Sequence, residues 1–325
     1  MNESTPTQPT AAPAISSEAR STSPAIAVEH VARWYGNVVA VNDISFTLNA
    51  GVTGLLGPNG AGKSTLLHMM SGFLRPSAGT VEIEGRPAWA DPDVYRRIGL
   101  VPERESAYTF LTAREFVVAS ARLQKLPEPE AAAARAIAQV EMEGAQDRPI
   151  GTYSKGMRQR AKVAAALVHD PPILLLDEPF NGLDPRQRLH MMELLRRMGA
   201  EGRTILFSSH ILEEVGRLAE QVLVIVAGRL AASGDFREIR RLMTDRPHTF
   251  TVRSSDDRAL AAVLVKQPTI AGVSLDDGLL TVRSNDFGAF SRTVTGLARR
   301  ADVTLHELLP TDESLESVFS YLVRG

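Results

Sequence analysis

Gly57-Pro-Asn-Gly-Ala-Gly-Lys63-Ser64-Thr65 is the stretch that decides the fold, and it directly follows the apolar run Val52-Thr-Gly-Leu-Leu56. Its first eight residues match the pattern Gly-x-x-x-x-Gly-Lys-Ser/Thr. Glycine lets the backbone turn tightly, so that successive N–H groups point at phosphate oxygens, and the following helix adds its positive end. We expect Lys63 to reach the β- and γ-phosphates of ATP and the Ser64 hydroxyl to bind Mg²⁺. The predicted phosphate-binding residues are Gly57, Pro58, Asn59, Gly60, Ala61, Gly62, Lys63, Ser64 and Thr65.

A second apolar run, Ile173-Leu-Leu-Leu176, ends in the two carboxylates Asp177 and Glu178. Because parallel sheets bind ligands at the carboxyl ends of their strands, these carboxylates are expected beside the phosphate loop. We predict that Asp177 holds Mg²⁺ through water. Glu178 is predicted to orient or deprotonate the attacking water. The alternative is a strand that simply ends in solvated acids, and the phosphate loop upstream argues against it.

Ser154-Lys-Gly-Met-Arg158 precedes an alanine-rich helix just upstream of the acidic strand. A Ser-x-Gly turn at the start of a helix offers backbone N–H groups to a phosphate. Since residues 57–65 already hold the phosphates of one nucleotide, a second site of this kind requires a second nucleotide. The pattern therefore predicts two copies of the chain facing each other, with Ser154 and Gly156 of each completing the ATP site of the other.

These motifs resemble those of the ATP-binding subunits of ABC transporters, in the same order and spacing. Three further motifs belong to the resemblance: Asn181-Gly-Leu-Asp184 as the dimer-facing loop, Ser208-Ser-His210 with the switch histidine, and Trp34-Tyr35-Gly36. The resemblance implies that Tyr35 stacks on adenine and that His210 senses or stabilises the γ-phosphate. Taken alone, each has an ordinary structural reading as a turn, a capping histidine or a packed tyrosine.

Two positions depart from the family pattern. Lys155 stands where the signature Leu-Ser-Gly-Gly-Gln has its first glycine, but Ser154 and Gly156 remain, so contact with phosphate is expected to survive. Glu103, in the loop Ile98-Gly-Leu-Val-Pro102-Glu103, stands where most members carry glutamine. A carboxylate oxygen is a competent Mg²⁺ ligand, and glutamate here is familiar among exporter-type subunits. The predicted Mg²⁺ ligands are Ser64, Glu103 and Asp177.

Two segments resemble the ABC-2 exporter branch, Ser154-Lys-Gly-Met-Arg-Gln-Arg160 and Asp312-Glu-Ser-Leu-Glu-Ser-Val-Phe319. In that branch the membrane domain is usually a separate chain. The resemblance implies a homodimer, or a pair with a homologous ATPase, bound to a separate integral membrane permease at the cytoplasmic face of the cell membrane. Residues 110–116 would contact the coupling helix of the permease. Their plain reading is the start of a helix capped by Thr112.

The composition of the 325-residue chain narrows the classes of function. A formal net charge of −2 argues against naked nucleic acid as the main partner. The absence of cysteine excludes disulfides, thiolate metal sites and a cysteine nucleophile. No apolar run approaches the roughly 18 residues that span a bilayer, so direct membrane insertion is not expected.

The chain is predicted to have three parts. Residues 1–24, rich in Ser, Thr, Pro and Ala, are predicted to be a disordered tail. Residues 25–235, which the resemblance covers, are predicted to be an α/β P-loop cassette with a parallel sheet core, antiparallel β and, over about residues 92–168, helical subdomains. Residues 236–325 are predicted to be a regulatory or dimer-supporting domain. Within it, residues 248–310 have the βαββαβ order of a ferredoxin-like fold, and a final helix runs from Leu315 to Val323.

A soluble ABC-type ATPase of translation or DNA repair is the main alternative. Such proteins usually carry two cassettes or long coiled-coil insertions, whereas this sequence has one cassette and no internal repeat. A non-enzymatic nucleotide-binding regulator is a third reading. The presence of both Lys63 and Glu178 argues against it.

Overall fold

The computed structural model describes residues 23–311, apart from 105–106, 236–237, 240–246 and 277, together with residues 315 and 319. Residues 1–22 of the tail predicted at residues 1–24, and most of the predicted final helix, therefore lie outside the described residues. Within the described part, no helix is both long enough and apolar enough to cross a membrane.

The chain forms a mixed arrangement of strands and helices up to residue 234, and a second mixed unit follows. The strands are β1 (Ile26–Tyr35), β2 (Val38–Leu48), β3 (Gly51–Leu56), β4 (Ala78–Ile83), β5 (Arg86–Pro87), β6 (Ile98–Val101), β7 (Ile173–Asp177), β8 (Thr204–Ser209), β9 (Gln221–Val226), β10 (Arg229–Gly234), β11 (His248–Ser254), β12 (Ile270–Asp276), β13 (Leu279–Ser284) and β14 (Leu305–Pro310). The helices are α1 (Lys63–Met70), α2 (Ala113–Leu123), α3 (Pro129–Gln139), α4 (Lys155–Leu167), α5 (Pro185–Ala200), α6 (Leu212–Leu218), α7 (Asp257–Leu264) and α8 (Phe287–Arg300).

A six-stranded sheet, in the order β10-β9-β3-β8-β7-β6, positions the site. All its neighbouring strands are parallel except β10, which pairs antiparallel with β9 at one edge. Every residue of β7 and β8 is buried, as expected for strands covered on both faces. The predicted parallel sheet is confirmed, and its topology puts the carboxyl ends of β3, β8, β7 and β6 side by side.

Two hydrophobic clusters cover the faces of this sheet. Ile173 and Leu175 of β7 belong to a cluster with α1 and the antiparallel sheet β2-β1-β4-β5. Leu174 and Leu176 belong to a cluster on the other face, with helices α2 to α5. Alternate residues of one strand thus enter different cores, which explains why β7 reads as a continuous apolar run.

The prediction of a loop at residues 98–103 is wrong in its first part. Ile98–Val101 form the edge strand β6, paired with β7, and only Pro102 and Glu103 follow as loop. Four apolar residues are too short to show a period, so the pairing with a distant strand decides their conformation. A Cβ at Gly99 would lie 2.6 Å from the Ala166 carbonyl oxygen, so glycine permits close packing of the strand on α4.

The element order βαββαβ predicted for residues 248–310 is present. The four strands form an antiparallel sheet in the order β12-β13-β11-β14, and α7 and α8 close a third cluster built around Phe250 and Phe290. Leu315, however, is 3% exposed and belongs to the cluster of helices α2 to α5 rather than to this third one. The described end of the chain thus packs against the first unit, and the boundary between the units stays a prediction.

Candidate functional site

The phosphate loop is packed so closely that two of its glycines accept no side chain. A Cβ at Gly57 would lie 2.3 Å from the Ile225 carbonyl oxygen, and one at Gly62 would lie 2.4 Å from that of Ala40. Gly62 also has a φ of 103°, in the left-handed region that favours glycine. The glycine spacing seen in the sequence is therefore required by the backbone itself.

Lys63 opens helix α1 and is held by the loop that precedes it. Its side chain is buried, and Nζ donates to the carbonyl oxygens of Gly57 at 2.8 Å and Pro58 at 3.3 Å. These carbonyls hold the ammonium beside the helix N-terminus, where anions bind. We expect phosphate oxygens to replace these carbonyls as acceptors when a nucleotide binds.

A cavity of about 350 Å³ lies at the carboxyl edge of the parallel sheet. All of its lining residues except Ala40 are among those predicted from the sequence. The lining consists of Ala40, Asn59, Gly60, Gly62, Lys63, Ser64, Thr65, Glu103, Asp177, Glu178 and His210. Residues from four separate sequence motifs thus meet in one space.

Glu178 and His210 are in direct contact in the wall of this cavity. The Nδ1 atom of His210 lies 2.9 Å from Glu178 Oε1, and because a carboxylate only accepts, Nδ1 is the donor. The Glu178 side chain is 9% exposed and that of His210 is 47% exposed. Glu178 also has a φ of 50°, a strained value for a residue with a side chain. Backbone strain at a buried carboxylate is typical of a functional position.

Burial raises the pKa of Glu178 above its ordinary value. The hydrogen bond from His210 and the charges of His210 and Lys63 oppose this effect. A carboxylate with a raised pKa is a stronger proton acceptor once it is ionised. The environment of Glu178 therefore suits a general base.

Ser208 is a site residue that the sequence analysis did not single out. It is fully buried at the end of β8, and its hydroxyl donates to Asp177 Oδ1 at 2.5 Å. The same hydroxyl accepts from the backbone N–H of Glu178 at 2.9 Å. Ser208 thus fixes both acidic residues. Its place in Ser208-Ser-His210 was visible, but the bridge depends on β8 lying next to β7.

Replacing Ser208 with alanine should lower the free energy of unfolding by about 1–3 kcal/mol, because the buried Glu178 N–H loses its acceptor. The loss is measurable by urea denaturation of the nucleotide-free protein. Ser233→Ala, on the exposed side of β10, is the matched control and should leave the unfolding midpoint unchanged. Equal midpoints for the two variants would contradict the role given to Ser208.

The residues predicted to hold Mg²⁺ fit that ion chemically. Ser64, Glu103 and Asp177 line the cavity described above and also a neighbouring one of about 640 Å³. All three offer oxygen atoms, the ligands Mg²⁺ prefers, and Mg²⁺ in phosphate sites takes few protein ligands beside water and phosphate. Among the described residues, no group of three His, Cys, Asp or Glu could by itself hold a metal.

Ser154 and Gly156 do not line the cavity. Ser154 is the N-cap of α4, and its exposed hydroxyl accepts from the Met157 N–H at 3.2 Å. Gly156 lies against the loop at residues 181–184, which is predicted to face a second copy, since a Cβ at Gly156 would be 2.7 Å from the Gly182 carbonyl oxygen. The exposed position of Ser154 is compatible with a contact to a second copy rather than to the ATP of the same chain. Gly156 is buried, and its contact with a second copy stays a prediction.

Tyr35 also lies outside the cavity lining, near the end of β1. The residue is 47% exposed, and the guanidinium carbon of Arg33 lies 4.6 Å from the centroid of its ring. Its partial exposure is compatible with stacking on adenine. That role stays a prediction.

Comparison with known proteins gives a family match. Residues 41–181 match the family model described as ABC transporter. The chain is 40% identical over 212 residues to the Nod factor export ATP-binding protein I of Burkholderia orbicola, covering 63% of this chain and 69% of that protein. It is 35% identical over 268 residues to the daunorubicin/doxorubicin resistance ATP-binding protein of Streptomyces peucetius, covering 78% and 81%.

The similarity does not extend over the full length of every relative. An uncharacterised ABC transporter ATP-binding protein of Nostoc is 39% identical over 212 residues, but the match spans only 62% of that protein and 62% of this chain. Among solved structures, the dimeric form of a bacterial ABC transporter cassette matches with a TM-score of 0.61 and 25% identity. It covers 65% of this chain and 98% of the cassette.

Proposed function

Because this chain belongs to the ABC transporter family of ATP-binding proteins, we propose that it hydrolyses ATP to power a membrane exporter of the ABC-2 type. The observation that carries the proposal is the cavity at the carboxyl edge of the sheet. There the ammonium of Lys63 lies near the carboxylates of Asp177 and Glu178 and the imidazole of His210.

The residues of the cavity account for the chemistry of hydrolysis. Lys63 and the N–H groups of residues 57–65 bind the phosphates. Glu178 takes a proton from the attacking water while the water oxygen forms a bond to the γ-phosphorus. The bond between the γ-phosphorus and the β–γ bridging oxygen breaks, which gives ADP and phosphate. His210, now paired with Glu178, turns its exposed imidazole to the γ-phosphate. Ser64, Glu103 and Asp177 would hold Mg²⁺, which would neutralise negative charge at the phosphates when bound.

Two copies of the chain are proposed to enclose two ATP molecules. The support is that Ser154 is exposed at the N-terminus of α4, where a helix can bind an anion, yet lies outside the cavity of its own chain. In a two-fold dimer each Ser154 would reach the γ-phosphate held by the partner. A solved relative of this fold is a dimer.

We propose that the conformational change of the dimer is transmitted to a separate permease at the cytoplasmic face of the membrane. Support comes from the exposed rings of Tyr108 and Phe110, which pair with centroids 5.8 Å apart just before α2. The same segment is also the start of a helix, because Thr112 caps α2 and forms a capping box with Glu115. Relatives named for Nod factor export and for daunorubicin/doxorubicin resistance favour export.

Mixing two inactive variants should restore ATP hydrolysis if the sites are shared between copies. Lys63→Met removes the phosphate ligand, and Ser154→Asp keeps the helix cap but places a negative charge against the γ-phosphate. A mixed dimer has one intact site, made of Lys63 from one variant and Ser154 from the other. Equal amounts should recover up to about a quarter of the wild-type turnover, since half of randomly formed dimers are mixed.

Each variant alone should remain near background in the same phosphate-release assay. The matched control mixes Ser154→Asp with a Lys63→Met, Ser154→Asp double variant, which can form no intact site. Recovery in the control, or none in the test mixture despite dimer formation, would contradict a shared site.

A further inference from the structure

Lys162 is a buried cation in α4 that the predicted chemistry does not use. It is 5% exposed, and its Nζ donates to three consecutive backbone carbonyls: Pro102 at 2.7 Å, Glu103 at 3.3 Å and Arg104 at 3.3 Å. We propose that Lys162 is a positioning residue, an inference that rests on the proposed function. It holds the Glu103 loop in place for Mg²⁺ and ties that loop to the helix that carries Ser154.

The contacts explain why a lysine occupies this position. An ammonium carries three donors and tolerates burial only where acceptors surround it. The carbonyls of residues 102–104 come directly after β6 ends, where strand pairing no longer satisfies them. The lysine gathers these acceptors around one point and so fixes the path of the backbone that carries the Glu103 side chain.

The same lysine connects two parts of the proposed mechanism. Glu103 lines the cavity with Ser64 and Asp177, so the position of its backbone sets the reach of its carboxylate. Ser154 caps the N-terminus of α4, eight residues before Lys162, which is about 12 Å along the helix at 1.5 Å per residue. A movement of α4 caused by the partner's ATP would therefore pull on the Glu103 loop of the same chain. Lys162 therefore couples the contact of Ser154 with the partner's nucleotide to the position of Glu103 at the nucleotide of its own chain.

A lysine that serves only to fill the core would behave differently. It would contribute to stability, but Mg²⁺ dependence and the protection of residues 98–104 would follow the global stability of the protein. A positioning residue changes the Mg²⁺ requirement and the local protection in a protein that remains folded. The two roles therefore separate in measurements other than turnover.

The test compares Lys162→Met, which keeps the length of the side chain without its donors, with Lys162→Arg, which keeps charge and donors. Lys266→Met, at an exposed lysine, is the matched control. For Lys162→Met we expect turnover to fall on the order of tenfold, with a similar rise in the Mg²⁺ concentration at half-maximal rate. Binding of ATP without Mg²⁺ should stay within about twofold, because the phosphate loop is untouched.

Hydrogen exchange gives a readout that needs no activity. Amides in the peptide containing residues 98–104 should exchange faster in Lys162→Met than in wild type, with partial return in Lys162→Arg and no change in Lys266→Met. Combining Lys162→Met with Glu103→Gln should cost less than the product of the two separate effects on turnover, because both act through Glu103.

The proposal is overturned if folded Lys162→Met keeps wild-type exchange at residues 98–104 and a wild-type Mg²⁺ requirement. It is also overturned if Lys162→Met and Lys162→Arg lose stability equally and change exchange throughout the chain. If the wild-type chain hydrolyses no ATP, the proposed function fails. Unchanged exchange in Lys162→Met would then reject the tether separately.

Discussion

Glu178→Gln should reduce the rate of ATP hydrolysis by on the order of 10²–10⁴-fold while leaving ATP binding intact. The carboxylate is buried in the cavity that also contains Lys63 and His210. Glutamine has nearly the same shape and can still accept the hydrogen bond from His210, but it cannot take a proton from water. Phosphate release under saturating Mg-ATP measures the loss.

The same variant should accumulate as an ATP-bound dimer, because closure no longer ends in hydrolysis. Light scattering after size exclusion, with and without Mg-ATP, detects this change in mass. Glu213→Gln, at a carboxylate exposed on α6 and paired with Arg217, is the matched control and should hydrolyse ATP at the wild-type rate. Undiminished turnover in Glu178→Gln would remove the assigned role of Glu178.

The raised pKa of Glu178 gives this prediction a second signature. A base must be ionised, so wild-type turnover should fall as pH decreases through a pKa that lies above that of an ordinary glutamate. The contribution of Glu178 to folding stability depends on pH in the opposite direction to its contribution to turnover. A carboxyl group whose folded-state pKa is raised favours the folded state below its unfolded pKa, and this contribution is lost as pH rises. Glu178→Gln should therefore not lower the melting temperature at neutral pH, so that lost turnover cannot be assigned to unfolding.

The sequence was sufficient for those parts of the site whose chemistry requires fixed residue types at fixed spacing. The glycines and lysine of residues 57–63 fall into this class, because a tight loop before a helix N-terminus tolerates few alternatives. The carboxylates after β7 were predictable for a related reason, since parallel strands place their carboxyl ends at one edge. The family prediction drawn from these motifs is confirmed.

The sequence was insufficient where a residue's role depends on a distant neighbour. Ile98–Val101 become a strand only because β7 pairs with them, and Ser208 bridges two carboxylates only because β8 lies beside β7. The carbonyl groups that accept from Lys162 are 58–60 positions earlier in the chain, and no local sequence pattern predicts this contact. Leu315 likewise reads as part of the final unit but packs on the helices of the first.

Lys63→Met should weaken ATP binding by on the order of 100-fold, the largest loss of affinity we expect from a single side chain. A charged hydrogen bond to phosphate contributes about 1.5–3 kcal/mol, or roughly 10- to 100-fold, and one lysine can reach two phosphates. The effect is amplified because the cavity also contains the side chains of Glu103, Asp177 and Glu178. Without the ammonium, three carboxylates would face the polyanionic phosphates.

The affinity is measurable by calorimetry, and independently by the rise in melting temperature on adding ATP, which disappears when binding is lost. Methionine preserves the buried stem of Lys63, although the carbonyls of Gly57 and Pro58 lose a donor. Gly57 is buried, so we expect this loss to lower the free energy of unfolding by about 1–3 kcal/mol. Circular dichroism checks that the variant is folded. Lys266→Met removes the same charge from the surface and should bind ATP normally. Wild-type affinity in folded Lys63→Met would mean that the loop amides and the helix N-terminus alone hold the phosphates. Lys63 would then only stabilise the conformation of the loop.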